Sequence, residues 1–137
     1  MSKKQPDKLQ SAGKRKAAIA RATLRAGSGI IRINSIPLDN YIPEFARERI
    51  REPLVLAGDL AKKVDISVSV SGGGITGQAD AARLAIGKVL LEHAADPELK
   101  KKYLEYDRAI LVADSRRKET RKPGRSKARA AAQKSKR

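Results

Sequence analysis

Residues Val64-Asp65-Ile66-Ser67-Val68-Ser69-Val70-Ser71 alternate apolar and polar positions without a break. Four β-branched side chains fall on one face and Asp or Ser on the other, which predicts a half-buried strand. Ile30–Asn34 predicts a second strand, preceded by the turn Gly27-Ser28-Gly29. Upstream, Ala18, Ala20 and Ala22 share a face with Leu24. Alanine favours helix, but the glycine-bearing turn before Ile30 favours a strand over 17–25 that pairs with Ile30–Asn34 as a hairpin. Pro43 suits the first turn of a helix. That helix is expected to run to about Arg51, to break or kink at Pro53, to resume through Leu54–Ala57 and to stop at Gly58. Ala82, Ile86, Val89 and Leu90 recur at helical spacing in a long helix over Gln78–Ala94, with Thr76 as its cap and Asp80 in its first turn. Asp96-Pro97-Glu98 carries the cap and proline of a further short helix. Ala109–Ala113 reads as a last apolar strand. The order β-β-α-β-α-α-β predicts an α+β fold, an α/β sandwich with helices packed on one small mixed sheet.

Charge changes this picture from a plain domain to one with two arms. The chain has 137 residues, with 31 Lys and Arg against 15 Asp and Glu, for a net +16. Residues 1–16 carry +5, residues 17–114 only +1, and residues 115–137 carry +10. The domain reading is therefore a basic N-terminal arm over 1–16, a near-neutral globular body over 17–114 and an extended basic tail over 115–137. From Ser115 to Arg137 there is no Val, Ile, Leu, Met, Phe, Trp or Tyr. Ordering each residue costs roughly 1–2 kcal/mol, and nothing in such a tail offsets it, so the tail is expected to be disordered when free. Two cationic arms make a polyanion the expected partner. A protein that compacts duplex DNA would use the same arms.

The remaining composition mostly excludes. No cysteine removes disulfides, thiolate catalysis and thiolate zinc sites, and the single His93 removes a pair of histidine ligands. No metal site, cofactor or catalytic set is therefore expected. His93 is placed to complement the end of the long helix, and Lys100–Lys102 reads as a solvated face. Asp107 and Asp114 are expected in surface pairs with Arg108, Arg116 or Arg117. Four aromatic residues are too few to stack successive bases. No apolar run approaches the ~20 residues that span a bilayer, and none resembles a secretory signal. The expectation is a soluble protein of a reducing compartment with no membrane partner.

One loop imitates nucleotide-binding motifs. Gly72-Gly73-Gly74-Ile75-Thr76-Gly77 fits G-x-G-x-x-G between a strand and a helix. A dinucleotide fold needs an acidic residue ending a second parallel strand about 20 positions on, and Glu92 lies inside the long helix. A P-loop needs Lys and Ser or Thr where Gln78-Ala79 stands. What survives is a turn with positive φ, whose bare N–H groups at a helix start can accept a phosphate.

Three blocks then resemble one family. Gly13-Lys14-Arg15-Lys16-Ala17-Ala18-Ile19-Ala20-Arg21-Ala22, the stretch Val70–Arg83 around the glycine loop, and Lys127-Ala128-Arg129 with Gln133–Arg137 resemble, in order and spacing, the signatures of small-subunit ribosomal protein nine. Arg51–Gly58 looks archaeal rather than bacterial. The resemblance implies a fold like the second domain of small-subunit ribosomal protein five, no enzymatic activity, and a cytoplasmic place in the head of the small subunit among neighbouring ribosomal proteins. It assigns ribosomal RNA contacts to Lys14, Arg15, Lys16, Arg21, Gly72, Gly73, Gly74, Gln78 and Arg83 in the body. In the tail it assigns them to Arg116, Arg117, Lys118, Arg121, Lys122, Arg125, Lys127 and Arg129. Ser135, Lys136 and Arg137 are assigned to peptidyl-site transfer RNA. Lys136 stands where archaeal relatives often have Tyr, which keeps a cation and removes stacking. Ala130–Ala132 is less basic than the corresponding run of many relatives.

Overall fold

The computed structural model describes residues 9–41 and 43–112. Five strands form one mixed sheet in the order β1-β2-β5-β3-β4, comprising β1 (Leu9–Arg15), β2 (Ala18–Ala26), β3 (Ile31–Ile33), β4 (Ile36–Pro37) and β5 (Val64–Ser71). Three helices accompany them: α1 (Glu44–Ala57), α2 (Ile75–Ala94) and α3 (Pro97–Tyr106). This is the expected α+β class, with β5 and the apolar face of β2 as the pattern placed them. Val64, Ile66, Val68 and Val70 are buried together with Ala18, Ala20, Ala22 and Leu24. Ala82, Ile86, Val89 and Leu90 of α2 and Ile50 of α1 close the core over them.

The pairing differs from the expected hairpin. β2 pairs antiparallel with β1 and β5, while β3 runs parallel to β5 and antiparallel to β4. The physical reason is Asp65. Its Oδ1 accepts the N–H groups of Ser28, Gly29 and Ile30 at 3.0, 3.2 and 3.0 Å. The glycine turn is thus captured by β5 and delivers β3 to the far side of that strand. The turn after β3 is the true tight hairpin. Asn34 and Ser35 both have positive φ, 50° and 69°, as a type I′ turn demands. The Asn34 side chain then extends the ladder, donating to the Val70 carbonyl at 3.0 Å and accepting from its N–H at 2.8 Å.

Other elements shift their bounds. β1 occupies residues expected in the basic arm. Helix α1 continues through Pro53, and the buried Tyr103 hydroxyl donates to the Pro53 carbonyl at 2.8 Å. Burial pushes that phenol well above its usual range. Gly58, at φ 61°, ends α1 as expected, its N–H reaching the carbonyls of Leu54 and Val55. The cap of α2 is Gly74 rather than Thr76, which lies inside the first turn. Asp96 caps α3 as expected, accepting from the Glu98 N–H at 3.0 Å. The anticipated last strand is instead a 3-10 turn over Arg108–Ile110, and Ala113 lies outside the described residues. A short apolar run does not itself distinguish strand from helical turn, and here packing decides. Ile110 is fully buried against Gly87, where a Cβ would stand 2.6 Å from Ile110 Cγ2 and 2.8 Å from its carbonyl oxygen.

Candidate nucleic-acid interface

The β1–β2 turn and the glycine loop meet at one end of the sheet. Ile19 pairs with Ser71 and Lys14 with Ile19, so the two segments emerge side by side. Their approach leaves no room for a side chain at Gly72 and little at Gly73. A Cβ on Gly72 would stand 2.4 Å from the Ala17 carbonyl oxygen, and one on Gly73 would stand 3.0 Å from the Ala18 nitrogen. Both residues also have positive φ, 77° and 62°, a region open to glycine at little cost. Gly74 is different: a Cβ there meets nothing within 4 Å, and its backbone is extended. Gln78 closes the loop through its side-chain amide, which donates to the Gly72 carbonyl at 3.1 Å.

The first intrahelical bond of α2 runs from the Gln78 N–H to the Gly74 carbonyl. The N–H groups of Ile75, Thr76 and Gly77 therefore precede the ladder and face out at the positive end of the helix. Among the described residues no side chain caps them. Gly77 lies against the Arg15 carbonyl, 3.5 Å from where its Cβ would be. Lys16 is exposed at the turn itself with φ 53°, and Lys14 is exposed beside it. This end thus combines two exposed ammonium groups with outward amides, a combination suited to phosphate oxygens.

The other expected body residues fall elsewhere. Arg15 leans inward to Asp80 at 3.7 Å, and Asp80 also takes Arg49 at 2.5 Å. The bond to Asp80 raises the Arg49 pKa further. Arg83 is only 6% exposed. Its guanidinium is shared between Glu52 and Asp107, the latter at 3.0 Å, so it ties α2 to α1 and to the end of α3. Asp107, expected in a surface pair with Arg108, Arg116 or Arg117, thus takes a buried arginine of α2 as a partner, while Arg116 and Arg117 lie outside the described residues. Arg21 lies on the sheet face that no helix among the described residues covers. Arg25 and Arg32 share that face, and sequence reading passed over both. The strict alternation of β2 and β5 could have found Arg25, once it was known which face stays bare. His93 sits in the last turn of α2, and Lys100–Lys102 is exposed on α3, both as expected. Residues 113–137, with Asp114, all the tail candidates from Arg116 to Arg129 and the terminal Ser135, Lys136 and Arg137, lie outside the described residues.

Among the described residues no cluster of three His, Cys, Asp or Glu could hold a metal, and no helix is long and apolar enough to cross a membrane. Fold and charge together define a small cationic scaffold protein with backbone amide and ammonium groups exposed at one end of its sheet. Residues 13–137 match the model of a family described as ribosomal protein S9/S16. The chain is 50% identical over 127 residues to the small ribosomal subunit protein uS9 of Methanothrix thermoacetophila, covering 93% of this chain and 96% of that one. It is 47% identical over 118 residues to the small ribosomal subunit protein uS9 of Methanococcus maripaludis, covering 86% and 88%. The chain belongs to the ribosomal protein S9/S16 family, whose members are structural components and not enzymes.

Proposed function

We propose that this protein is a structural constituent of the small ribosomal subunit in the cytoplasm, bound to ribosomal RNA in the subunit head beside neighbouring ribosomal proteins. The observation that carries the reading is the meeting of Lys14 and Lys16 with the outward amides of the 72–77 loop, built by two glycines of positive φ, of which Gly72 leaves no room for a side chain and Gly73 little. The two archaeal relatives, each a small ribosomal subunit protein, support the setting. Lys14, Lys16 and the loop from Gly72 to Gln78 neutralise phosphates at this end. The eleven basic residues of 115–137 extend the contact, with Arg116–Arg129 on ribosomal RNA and Ser135, Lys136 and Arg137 on peptidyl-site transfer RNA. Lysine and arginine release counterions as they bind, and arginine adds a planar fork for phosphate oxygens. Recognition is by shape and 2′-hydroxyls, because paired RNA hides its base edges.

A salt titration of binding to small-subunit ribosomal RNA tests the mechanism. If about 6–10 phosphates are neutralised, affinity falls roughly 10³–10⁵-fold between 50 and 200 mM salt; a flat response removes it. Deleting residues 135–137 tests the tail. Transfer RNA binding at the peptidyl site weakens while subunit assembly continues, and failed assembly would mean that these residues serve the ribosomal RNA instead.

A further inference from the structure

We infer that the uncovered face of the sheet is a second RNA-docking surface, one that lies across the sugar–phosphate backbones of a paired segment. The inference rests on the RNA-binding reading above and extends it to Arg25 and Arg32, which that reading does not use, on a face that also carries Arg21 and, at its β1 edge, Lys14. Helices α1 and α2 cover one face of the sheet, and the core residues of β2 and β5 all point that way. The opposite face is made of aligned rows. Thr23 pairs with Ser67, which pairs with Arg32; Arg21 pairs with Ser69; Arg25 pairs with Asp65.

Three arginines thus stand on a floor of hydroxyl groups. Strands are ~4.8 Å apart and alternate residues ~6.8 Å apart, so Arg21, Arg25 and Arg32 occupy the corners of a triangle with sides of roughly 12–14 Å. That spacing is too wide for one phosphate and suits several. Arg21 and Arg25 make no ion pair among the described residues. Asp65, the acidic residue of this face, has its Oδ1 turned to three backbone N–H groups, and Arg32 is near enough to help lower its pKa. Between Arg25 and Arg32 the surface dips into a hollow of about 500 Å³ whose rim includes Gln10, Thr23 and Ser67. Hydroxyls and a side-chain amide can exchange hydrogen bonds with ribose 2′-hydroxyls there. No aromatic side chain lies in these rows, so unpaired bases would find nothing to stack on. The chemistry favours paired RNA, whose shallow minor groove displays exactly the ribose and phosphate groups this face can meet.

The test uses the full chain and three RNAs: small-subunit ribosomal RNA, a 20-base-pair RNA duplex and single-stranded polyuridine. The variant Arg25→Gln/Arg32→Gln is compared with Lys14→Gln/Lys16→Gln, each checked for an unchanged melting temperature. The sheet variant should bind ribosomal RNA roughly 10–100-fold more weakly, with a salt slope shallower by about 2 and with its duplex affinity reduced in parallel. If the sheet variant binds all three RNAs like the parent while the Lys14/Lys16 variant weakens, RNA meets only the Lys14 end, the Arg25–Arg32 surface is not an RNA surface and the inference falls alone. If polyuridine binding suffers while duplex binding does not, the inference is likewise overturned. If the sheet variant binds RNA normally but enters particles poorly in the presence of other subunit proteins, a protein covers the face and RNA does not. If the parent itself binds no ribosomal RNA, the reading beneath the inference fails with it.

Discussion

Gly13→Ala is the most direct test of how the cationic end is held. Gly13 is buried in edge strand β1, with its backbone pressed against α2. A Cβ there would lie 2.2 Å from the Ala81 carbonyl oxygen, 2.7 Å from the Ala85 nitrogen and 3.1 Å from Leu84 Cβ. The first two are backbone atoms of a central helix and cannot swing aside. Ordinary contact begins near 3.4 Å, so strand and helix must part by about 1 Å. Overpacking of this kind costs ~1–3 kcal/mol. Against it, replacing glycine reduces the freedom of the unfolded chain and contributes ~0.4–1 kcal/mol of stability. The net expectation is a loss of about 1–2 kcal/mol. For a body of roughly 100 residues that lowers the melting temperature by roughly 5–15 °C. Thermal unfolding followed by circular dichroism measures it, with Gly74→Ala as the control, because nothing lies within 4 Å of a Cβ there. The control should melt within a few degrees of the parent, because the poorer N-cap that alanine makes and the reduced freedom of the unfolded chain oppose each other. Because Lys14 and Lys16 ride on the displaced strand, RNA affinity should drop for Gly13→Ala even well below its melting temperature. A Gly13→Ala protein that melts at or above the parent's temperature would refute the close approach of β1 to α2.

Three further substitutions probe the frame of the body. Ala95, the residue after α2, holds a left-handed conformation with φ 49°, so Ala95→Gly should relieve strain and stabilise by about 0.5–1 kcal/mol in denaturant unfolding; a destabilised variant would contradict this. Asn34→Ala removes both hydrogen bonds to Val70 and should cost ~1–3 kcal/mol, with faster amide exchange of Val70 as a local sign; an unchanged exchange rate would count against the clamp. The N–H groups of Ile30, Ser28 and Gly29, in that order of weight, with Arg32 hold the Asp65 carboxyl below its ordinary value. A lowered folded pKa means that Asp65 stabilises the fold above the unfolded value near ~3.9 and that this contribution fades as pH falls through the folded value. The melting temperature of the parent should therefore fall more steeply than that of Asp65→Asn between neutral and acid pH, and parallel curves would show that the three bonds carry no charge-dependent stability.

How much was legible in the sequence depended on how local the cause was. Strand β5 and helix α3 announce themselves because alternation and an Asp-Pro-Glu cap act within a few residues. β1 escapes the same reading because its inward positions are Leu9, Ser11, Gly13 and Arg15, which show no apolar period. Its place in the sheet comes from backbone contact with α2 and from pairing with β2. The mistaken hairpin has a similar origin. Gly27-Ser28-Gly29 is a turn signal, but its direction is set by Asp65, 35–37 residues away. Arg83 falls within a block that resembles a ribosomal family, and the block says nothing of Glu52 and Asp107, which surround the guanidinium only after folding. Gly72 and Gly73 were legible as a positive-φ turn, whereas their fit against Ala17 and Ala18 was not.

The seat of Ile110 on Gly87 bears on mechanics. Gly87 lies in the middle of α2, and Ile110 is the last fully buried side chain of the described residues. Tension applied to the chain beyond this point therefore enters at the waist of the central helix and not at a peripheral loop. A helix packed against both the sheet and α1 resists such a load as a unit, so the body would keep its shape under a pull on the chain beyond Ile110.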